Sequence, residues 1–443
     1  MIRLTLTGPK RIALIVIALV VAFVFSYSGV RNALASYYSN QGTLEGYEKA
    51  TRLEPSNSKN WYRLGNFLQY DVQHFDPKRA IKAYRISLSL NNSNSADTWA
   101  ELASVYEGEG ELDAAREALL NARHAYPASA EMSWRYGNFL LRRGELNPAF
   151  REIAQAVQQD PSRAWEAFSL FQRFDSDDNV ILNRFPRQEK VYLDIIWGLN
   201  REGRPDSAVK VWDRLFELNR EGLTTGRFEI TEDTLFSLVD ELLSEGSISE
   251  ARRVWSEGLV FMKTPKPPDP PESLVWDGGF ETDIVNRGFS WHVGSPPGTK
   301  VSFDKRVRHS GARALEIKFD GNHNLNFQDV CHSIAVSPGT AYNFSAWLRT
   351  EGITTDKGIA LRLNTPQNRE PGAFTAELTD THAWTQFKLR WTAGKDVRLL
   401  QICVVREQSH EVYNTIAGTV WVDDVELVPI TLAEDAISTK DGS

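Results

Sequence analysis

Across 443 residues this chain has only two cysteines, three methionines and eight histidines. So little cysteine excludes a disulfide-stapled scaffold and any thiolate-bound metal cluster. The two present, Cys331 and Cys403, form either one disulfide in an oxidising compartment or two separate buried thiols. The histidines are scattered, and the sequence contains no G-x-S-x-G, no P-loop and no H-E-x-x-H. No reaction class is therefore named, and the chain is expected not to be an enzyme. A net charge of −8, with no basic stripe interleaved with aromatics, excludes a nucleic-acid binder. Charge is itself missing from residues 12–30, and no acidic residue precedes Glu45.

That uncharged run has 19 positions, which at ~1.5 Å per residue reaches across the hydrocarbon core of a bilayer. Arg3, Lys10 and Arg11 precede it. The positive-inside rule then assigns 1–11 to a cytoplasmic arm and everything after residue 31 to the far side, the periplasm of a bacterium. The alternative is a cleaved signal peptide, because Ala33-Leu34-Ala35 forms an A-x-A site. The length of the run and the intervening Arg31 favour a retained single-pass inner-membrane anchor over secretion after cleavage near Ala35.

A chain of this length exceeds one core, and its internal repeats show how it divides. Gly110 has a counterpart at 144, Ala115 at 149 and Pro127 at 161, each 34 residues on. Trp99, Leu102, Ala103 and Tyr106 share one helical face, and Ala115, Leu119 and Ala122 share another. Ala103 and Ala115 are small where two helices cross, Gly110 permits the turn between them, and Pro127 stops the second helix. Tyr136, Gly137, Leu140, Gly144, Ala149, Ile153 and Ala156 repeat the frame, and so do Trp61, Leu64, Gly65, Leu68, Ala80 and Tyr84 upstream. Extra residues at 71–77 enlarge that upstream unit's turn. Looser units follow at 192–212 and 235–255, with an aperiodic stretch at 173–187.

This pattern resembles the tetratricopeptide repeat family over about 43–262. The resemblance implies an all-α solenoid over 31–262 that binds peptides or protein surfaces in its groove. Each residue quoted for it is a packing residue rather than a ligand contact.

Residues 263–272 hold five prolines in ten, so 263–274 reads as a semi-rigid linker. Beyond it the hydrophobic period falls to two. Strand-like runs occur at 299–304, 313–319, 341–349, 358–364, 385–392, 397–405 and 418–428. About eight strands predict an all-β jelly-roll sandwich over 275–430, and 431–443 reads as a disordered tail. The landmarks in order are Asp277-Gly278-Gly279-Phe280-Glu281, Trp291, His309-Ser310-Gly311-Ala312, Tyr342-Asn343-Phe344-Ser345-Ala346-Trp347, Trp384 and Val422-Asp423-Asp424-Val425. They resemble carbohydrate-binding modules of the galactose-binding-like jelly-roll class.

That resemblance implies two sites. One is a structural calcium tying the first strand to the last through Glu281 and Asp424, hard oxygen ligands suited to that ion. The alternative is that both carboxylates cap turns or pair with cations. The other is a glycan platform. On 341–349 the alternation turns Tyr342, Phe344, Ala346 and Leu348 inward and Asn343, Trp347 and Arg349 outward. On 358–364 it leaves Arg362 and Asn364 outward. An outward Trp347 beside two Arg and two Asn forms a sugar platform, unless a loop covers it. Asp423 and Asp424 adjoin on a strand, so they are expected to face opposite ways and cannot share one glycosidic bond. The combined expectation is a membrane-anchored periplasmic scaffold that recruits a protein partner and binds glycan in surface-polysaccharide assembly or export. The alternative is an envelope assembly protein whose sandwich binds protein and no sugar.

Overall fold

The computed structural model describes residues 8–222, 231–261, 270, 272–366 and 372–430. The chain forms two compact units, Met1–Asp194 and Ile195–Ser443. The first opens with α1 (Gly8–Ser39), whose Arg11–Ser39 portion is long and apolar enough to cross a membrane or to act as a signal sequence. Its side chains from Ile12 to Phe25 are exposed, so nothing within the unit covers them.

Helices then alternate with short turns: α2 (Leu44–Leu53), α3 (Ser58–Tyr70), α4 (Pro77–Leu90), α5 (Ala96–Gly108), α6 (Leu112–Ala125), α7 (Ala130–Arg142) and α8 (Leu146–Gln159). The local chemistry explains each boundary. Ser95 and Ser129 accept the Thr98 and Met132 N–H groups at the starts of α5 and α7. Gly110 and Gly144 take φ of +78° and +73° to close the hairpins, a conformation that strains any side chain. Ala103, Ala115, Ala149 and Ile153 are buried where the helices cross. Ion pairs one repeat apart lock successive hairpins together: Arg135 to Glu101 at 3.0 Å, Arg142 to Glu107 at 2.6 Å and Arg123 to Glu152 at 2.6 Å.

The aperiodic stretch holds only the five-residue α10 (Asp178–Leu182), which follows α9 (Ala164–Phe171) to make a shortened hairpin. The next helix, α11 (Glu189–Arg201), spans the division between the two units.

The second unit contains α12 (Pro205–Arg220), α13 (Glu232–Ser244) and α14 (Ile248–Phe261) together with the β-sandwich. The repeat pattern assigned these helices to the solenoid. They also share a compact unit with the strands, and Trp255 of α14 packs against Trp276 and Phe289 at 6.0 and 6.1 Å between ring centroids. Gly288 lies against Trp255 and Val239, leaving no room for a Cβ. Arg287 bonds Asp233, Ser237 and Asp240 on α13. The proline-rich residues that separate the two patterns, and the tail 431–443, lie largely or wholly outside the described residues.

Among the described residues, ten strands make two five-stranded antiparallel sheets. The strands are β1 (Trp291–Val293), β2 (Thr299–Asp304), β3 (Ala314–Asp320), β4 (Phe327–Ala335), β5 (Ala341–Ile353), β6 (Ala360–Asn364), β7 (Ala373–Phe374), β8 (Asp380–Thr392), β9 (Leu399–Arg406) and β10 (Ala417–Pro429). One sheet runs β1-β4-β9-β6-β7 and the other β2-β3-β10-β5-β8. Phe280, Trp291, Phe327, Phe344, Leu348, Leu361, Leu363, Ile402 and Val422 fill the space between them. Trp291 is core, as is Tyr342, whose hydroxyl accepts the Ser337 N–H at 2.8 Å.

Candidate functional sites on the sandwich

The expected glycan platform divides between the two sheets. Asn343, Trp347 and Arg349 point outward on β5, whereas Arg362 and Asn364 point outward on β6, in the opposite sheet. Period-two alternation gives the face within a strand correctly here. It carries no information on which sheet a strand joins, and a platform built from both strands is therefore not formed.

Trp347 is half-buried. The imidazole of His309, from the loop between β2 and β3, stacks on its ring at 3.9 Å between centroids and 18° between planes. Trp384 meets the same imidazole edge-on at 5.7 Å. One face of the Trp347 indole is thus closed to a sugar ring. Arg349 lies over Trp421, 5.5 Å from its centroid, and Trp421 Nε1 donates to Asp304. Asn343 is exposed beside Lys388, Arg390 and Glu426 around a shallow depression. Burial and the Asp424 charge both push the Glu426 carboxyl up from its ordinary value.

Beneath Trp347 three carboxylates gather. Asp423 and Asp424 do not face opposite ways, contrary to the simple strand reading. A bulge between Asp423 and Glu426 breaks the β5–β10 register, and Asp424 takes φ +47°. Both side chains consequently reach the same loop. Asp423 accepts the His309 and Ser310 N–H groups at 2.8 and 3.2 Å, and Asp424 accepts the Ser310 hydroxyl at 2.7 Å and meets His309 Nδ1 at 2.5 Å. Glu281 accepts the Ala312 N–H of that loop at 2.7 Å. Burial, assisted by the neighbouring Asp424 charge, pushes the Asp423 carboxyl up to about 6.

The opening segment is sewn to the closing strand close by. Val425 donates to the Gly278 carbonyl, and a Cβ on Gly278 would lie 2.0 Å from the Val425 carbonyl. Asp424 Oδ1, Asp423 Oδ1 and the Glu281 Cγ all fall within 4 Å of the point where Gly279 would carry a Cβ. This donor set is all oxygen, which suits a calcium ion rather than zinc. Its oxygens also accept hydrogen bonds from the β2–β3 loop, so the carboxylates tie both ends of the domain to that loop. Among the described residues no set of three or more His, Cys, Asp or Glu is arranged as a metal-binding group.

The outer face of the other sheet has a different character. Cross-strand register sets His292, Cys331, Cys403, Arg362 and Phe374 in one row and Ser333, Gln401 and Asn364 in the next. Cys331 and Cys403 are joined as a disulfide and lie with Ala360 and Val405 in a small apolar patch. Arg362 sits over Phe374 at 5.9 Å, and its Nε is buried without an acceptor, as is that of Arg349 on the first sheet. Asn364 donates to Gln401 at 3.5 Å, and Phe374 is 44% exposed. His309, Phe374 and Gln401 were not singled out as site residues from the sequence. Only His309, opening the His-Ser-Gly-Ala turn, carries a local signal.

No protein-family model and no curated protein matches the sequence. Solved structures similar to parts of the chain include YrrB, described as a TPR protein with an unusual peptide-binding site. It is 14% identical, covering 50% of this chain and 95% of that one, with a TM-score of 0.26. A CBM4 structure is 19% identical over 35% of this chain and 99% of that one, with a TM-score of 0.27. TmCBM61, solved with β-1,4-galactotriose, is 19% identical over 36% and 99%, with a TM-score of 0.26. Helical repeats followed by a β-sandwich are the two folds present, and tetratricopeptide and carbohydrate-binding-module structures are among those similar to parts of the chain.

Proposed function

We propose that this chain is a membrane-anchored scaffold facing the periplasm, docking a protein partner on its helical repeats and holding glycan on its sandwich. Such a molecule suits assembly or export of a surface polysaccharide, where a fixed glycan grip near the membrane keeps a growing chain beside its enzymes. α1 supports the anchor by its length and apolar composition. The residues before the apolar run, Arg3, Lys10 and Arg11, carry the positive charge, which supports a cytoplasmic N-terminus. The reading involves binding alone and no catalytic step.

One observation carries the glycan assignment to the sheet containing β6. Planar hydrogen-bonding side chains, Arg362, Asn364 and Gln401, flank an exposed aromatic ring, Phe374, whereas His309 caps Trp347 on the other sheet. Sugar hydroxyls take paired bonds from such groups, and the ring supplies apolar contact. Affinity electrophoresis through gels containing soluble polysaccharides tests this. Retardation of the wild type, lost in Arg362→Ala and Asn364→Ala and kept in Trp347→Ala, is the expected outcome. No retardation on any polysaccharide favours the second reading, in which the sandwich is a protein-binding or stiffening module. The packing of α13 and α14 against the segment 276–289 speaks for that alternative.

A calcium ion held by Glu281 and Asp424 belongs to the same proposal. It would neutralise the carboxylate cluster and pin the opening and closing segments. Calcium is then expected to raise the melting temperature of the wild type and leave Glu281→Gln and Asp424→Asn unchanged.

A further inference from the structure

The shortened hairpin in the first unit leaves something uncovered. Between α6 and α8, long side chains link the second helix of one repeat to the second helix of the next. The α6 arginines show this, Arg116 reaching Glu145 and Arg123 reaching Glu152 and Gln155 at the start and middle of α8. α8 has no such successor, because α10 is five residues long where its predecessors have fourteen. What covers part of α8 instead is the irregular segment Arg184–Pro186.

Between them lies an open cavity of about 530 Å³. Its α8 wall is the stripe Asn147, Phe150, Arg151, Ala154, Gln155 and Gln158, one face of the helix at successive turns. No carboxylate lines it, although the chain as a whole is acidic. Arg184 lies over the Phe150 ring at 4.4 Å and bonds Asp175 through one terminal nitrogen at 3.3 Å. Its other terminal nitrogen is buried with no acceptor. A buried donor left unmatched is unfavourable, and a ligand oxygen would satisfy it. Arg151 and Gln158 are exposed at the rim. Arg184 already occupies one face of Phe150, and Phe171 and Phe174 crowd the ring at 4.4 and 5.8 Å, so no aromatic face is free for a sugar.

We infer that this cavity binds a short extended peptide segment of a partner protein, carrying an acidic side chain that docks between Arg151 and Arg184. Arginine forks match carboxylates in two-bond geometry, and Asn147, Gln155 and Gln158 can bond the amides of an extended backbone. A helix, about 10–12 Å across with its side chains, fits the space less well. The inference rests on the reading of the repeats as a docking surface and gives that surface a location and a chemistry. The site lies on the second helix of a repeat, where the array is interrupted.

A phage-displayed random octapeptide library, panned on the full chain in detergent micelles, tests the inference. Enriched peptides are expected to share an Asp or Glu, and to bind Arg151→Glu and Arg184→Met at least about tenfold more weakly, the change expected for losing one charge-assisted contact. Arg184→Met keeps an aliphatic stem on Phe150, and circular dichroism melts confirm that each variant is folded. Acidic peptides whose binding survives both substitutions overturn the cavity and leave docking by the array standing. Enriched peptides without acidic residues, or no enrichment, also overturn it. Cross-linking in native membranes then tests separately whether the array docks a folded protein.

Discussion

At the scale of single residues, burial decides more than charge does. His332 is wholly buried on β4, and its Nε2 accepts the Trp276 N–H at 3.1 Å. Burial drives its pKa down to about 3 from an ordinary 6.5. The unfolded chain therefore binds a proton that the folded chain refuses. The stabilising contribution is complete above pH 6.5 and is lost as pH falls from there through about 3. Asp423 works in the opposite sense. Its folded pKa of about 6 lies above the ordinary 3.8, so its contribution is complete below pH 3.8 and lost as pH rises through 6. Replacing His332→Gln keeps an acceptor for Trp276 and removes one of the two. Thermal melts at pH 7 and pH 4 should show a smaller acid-induced drop for that variant than for the wild type. An equal drop would assign the acid sensitivity to other groups. The paired aspartates also mark where reading by residue stops. Asp423-Asp424 appears as ordinary strand alternation, and only the bulge, invisible in composition, turns both toward His309 and Ser310.

At the scale of elements, the two halves differ in how openly they can be read. The 34-residue spacing maps directly onto helix crossings because each position meets its own neighbours. Gly137 is an example: a Cβ there would lie 2.6 Å from Ile153 Cγ1, inside a fully buried contact. Gly137→Ala gains about 1 kcal/mol of helix propensity but must displace Ile153, which costs ~1–3 kcal/mol. A net loss of about 1 kcal/mol is expected in denaturant melts, against no loss if Ile153 can shift. In the sandwich, the sequence lays out seven of the ten strands. It misses β1 and β7, which have three and two residues, and β4, where Cys331, His332, Ile334 and Ala335 are all buried and the two-residue alternation disappears. β4 is also the strand that holds Cys331 to Cys403 of β9, 72 residues away. Removing both sulfurs by Cys331→Ala and Cys403→Ala is expected to destabilise the domain by about 2–5 kcal/mol. Reductant added to the wild type should reproduce the lowered melting temperature, and the double variant should not respond to it.

At the scale of the whole molecule, the boundary of fold type and the boundary of cooperative packing are different things. Proline composition and the change of hydrophobic period both place a break near residue 263, yet α13 and α14 pack on the chain that leads into β1. The seam is mixed. Trp255, Trp276 and Phe289 supply the apolar part. Asp240 supplies the polar part, accepting Arg287 Nε at 2.8 Å through one oxygen and the Gly288 N–H at 2.7 Å through the other. Arg287 and Asp240 are each about a third exposed, so the ion pair alone is worth only ~1 kcal/mol. The aromatic cluster should dominate, since truncating a packed Trp costs ~3–5 kcal/mol when it is fully enclosed and less at a partly open site. If the helices and the sandwich unfold as one, Trp255→Ala should lower a single transition monitored both by helix ellipticity and by tryptophan fluorescence. If they unfold separately, the two probes will part already in the wild type, and Trp255→Ala will shift only the helical signal. A double-mutant cycle on Arg287→Ala and Asp240→Ala completes the separation. Coupling near 1 kcal/mol with coincident probes would make the last helical pair a structural part of the sandwich unit, so that force or ligand at one is felt directly by the other.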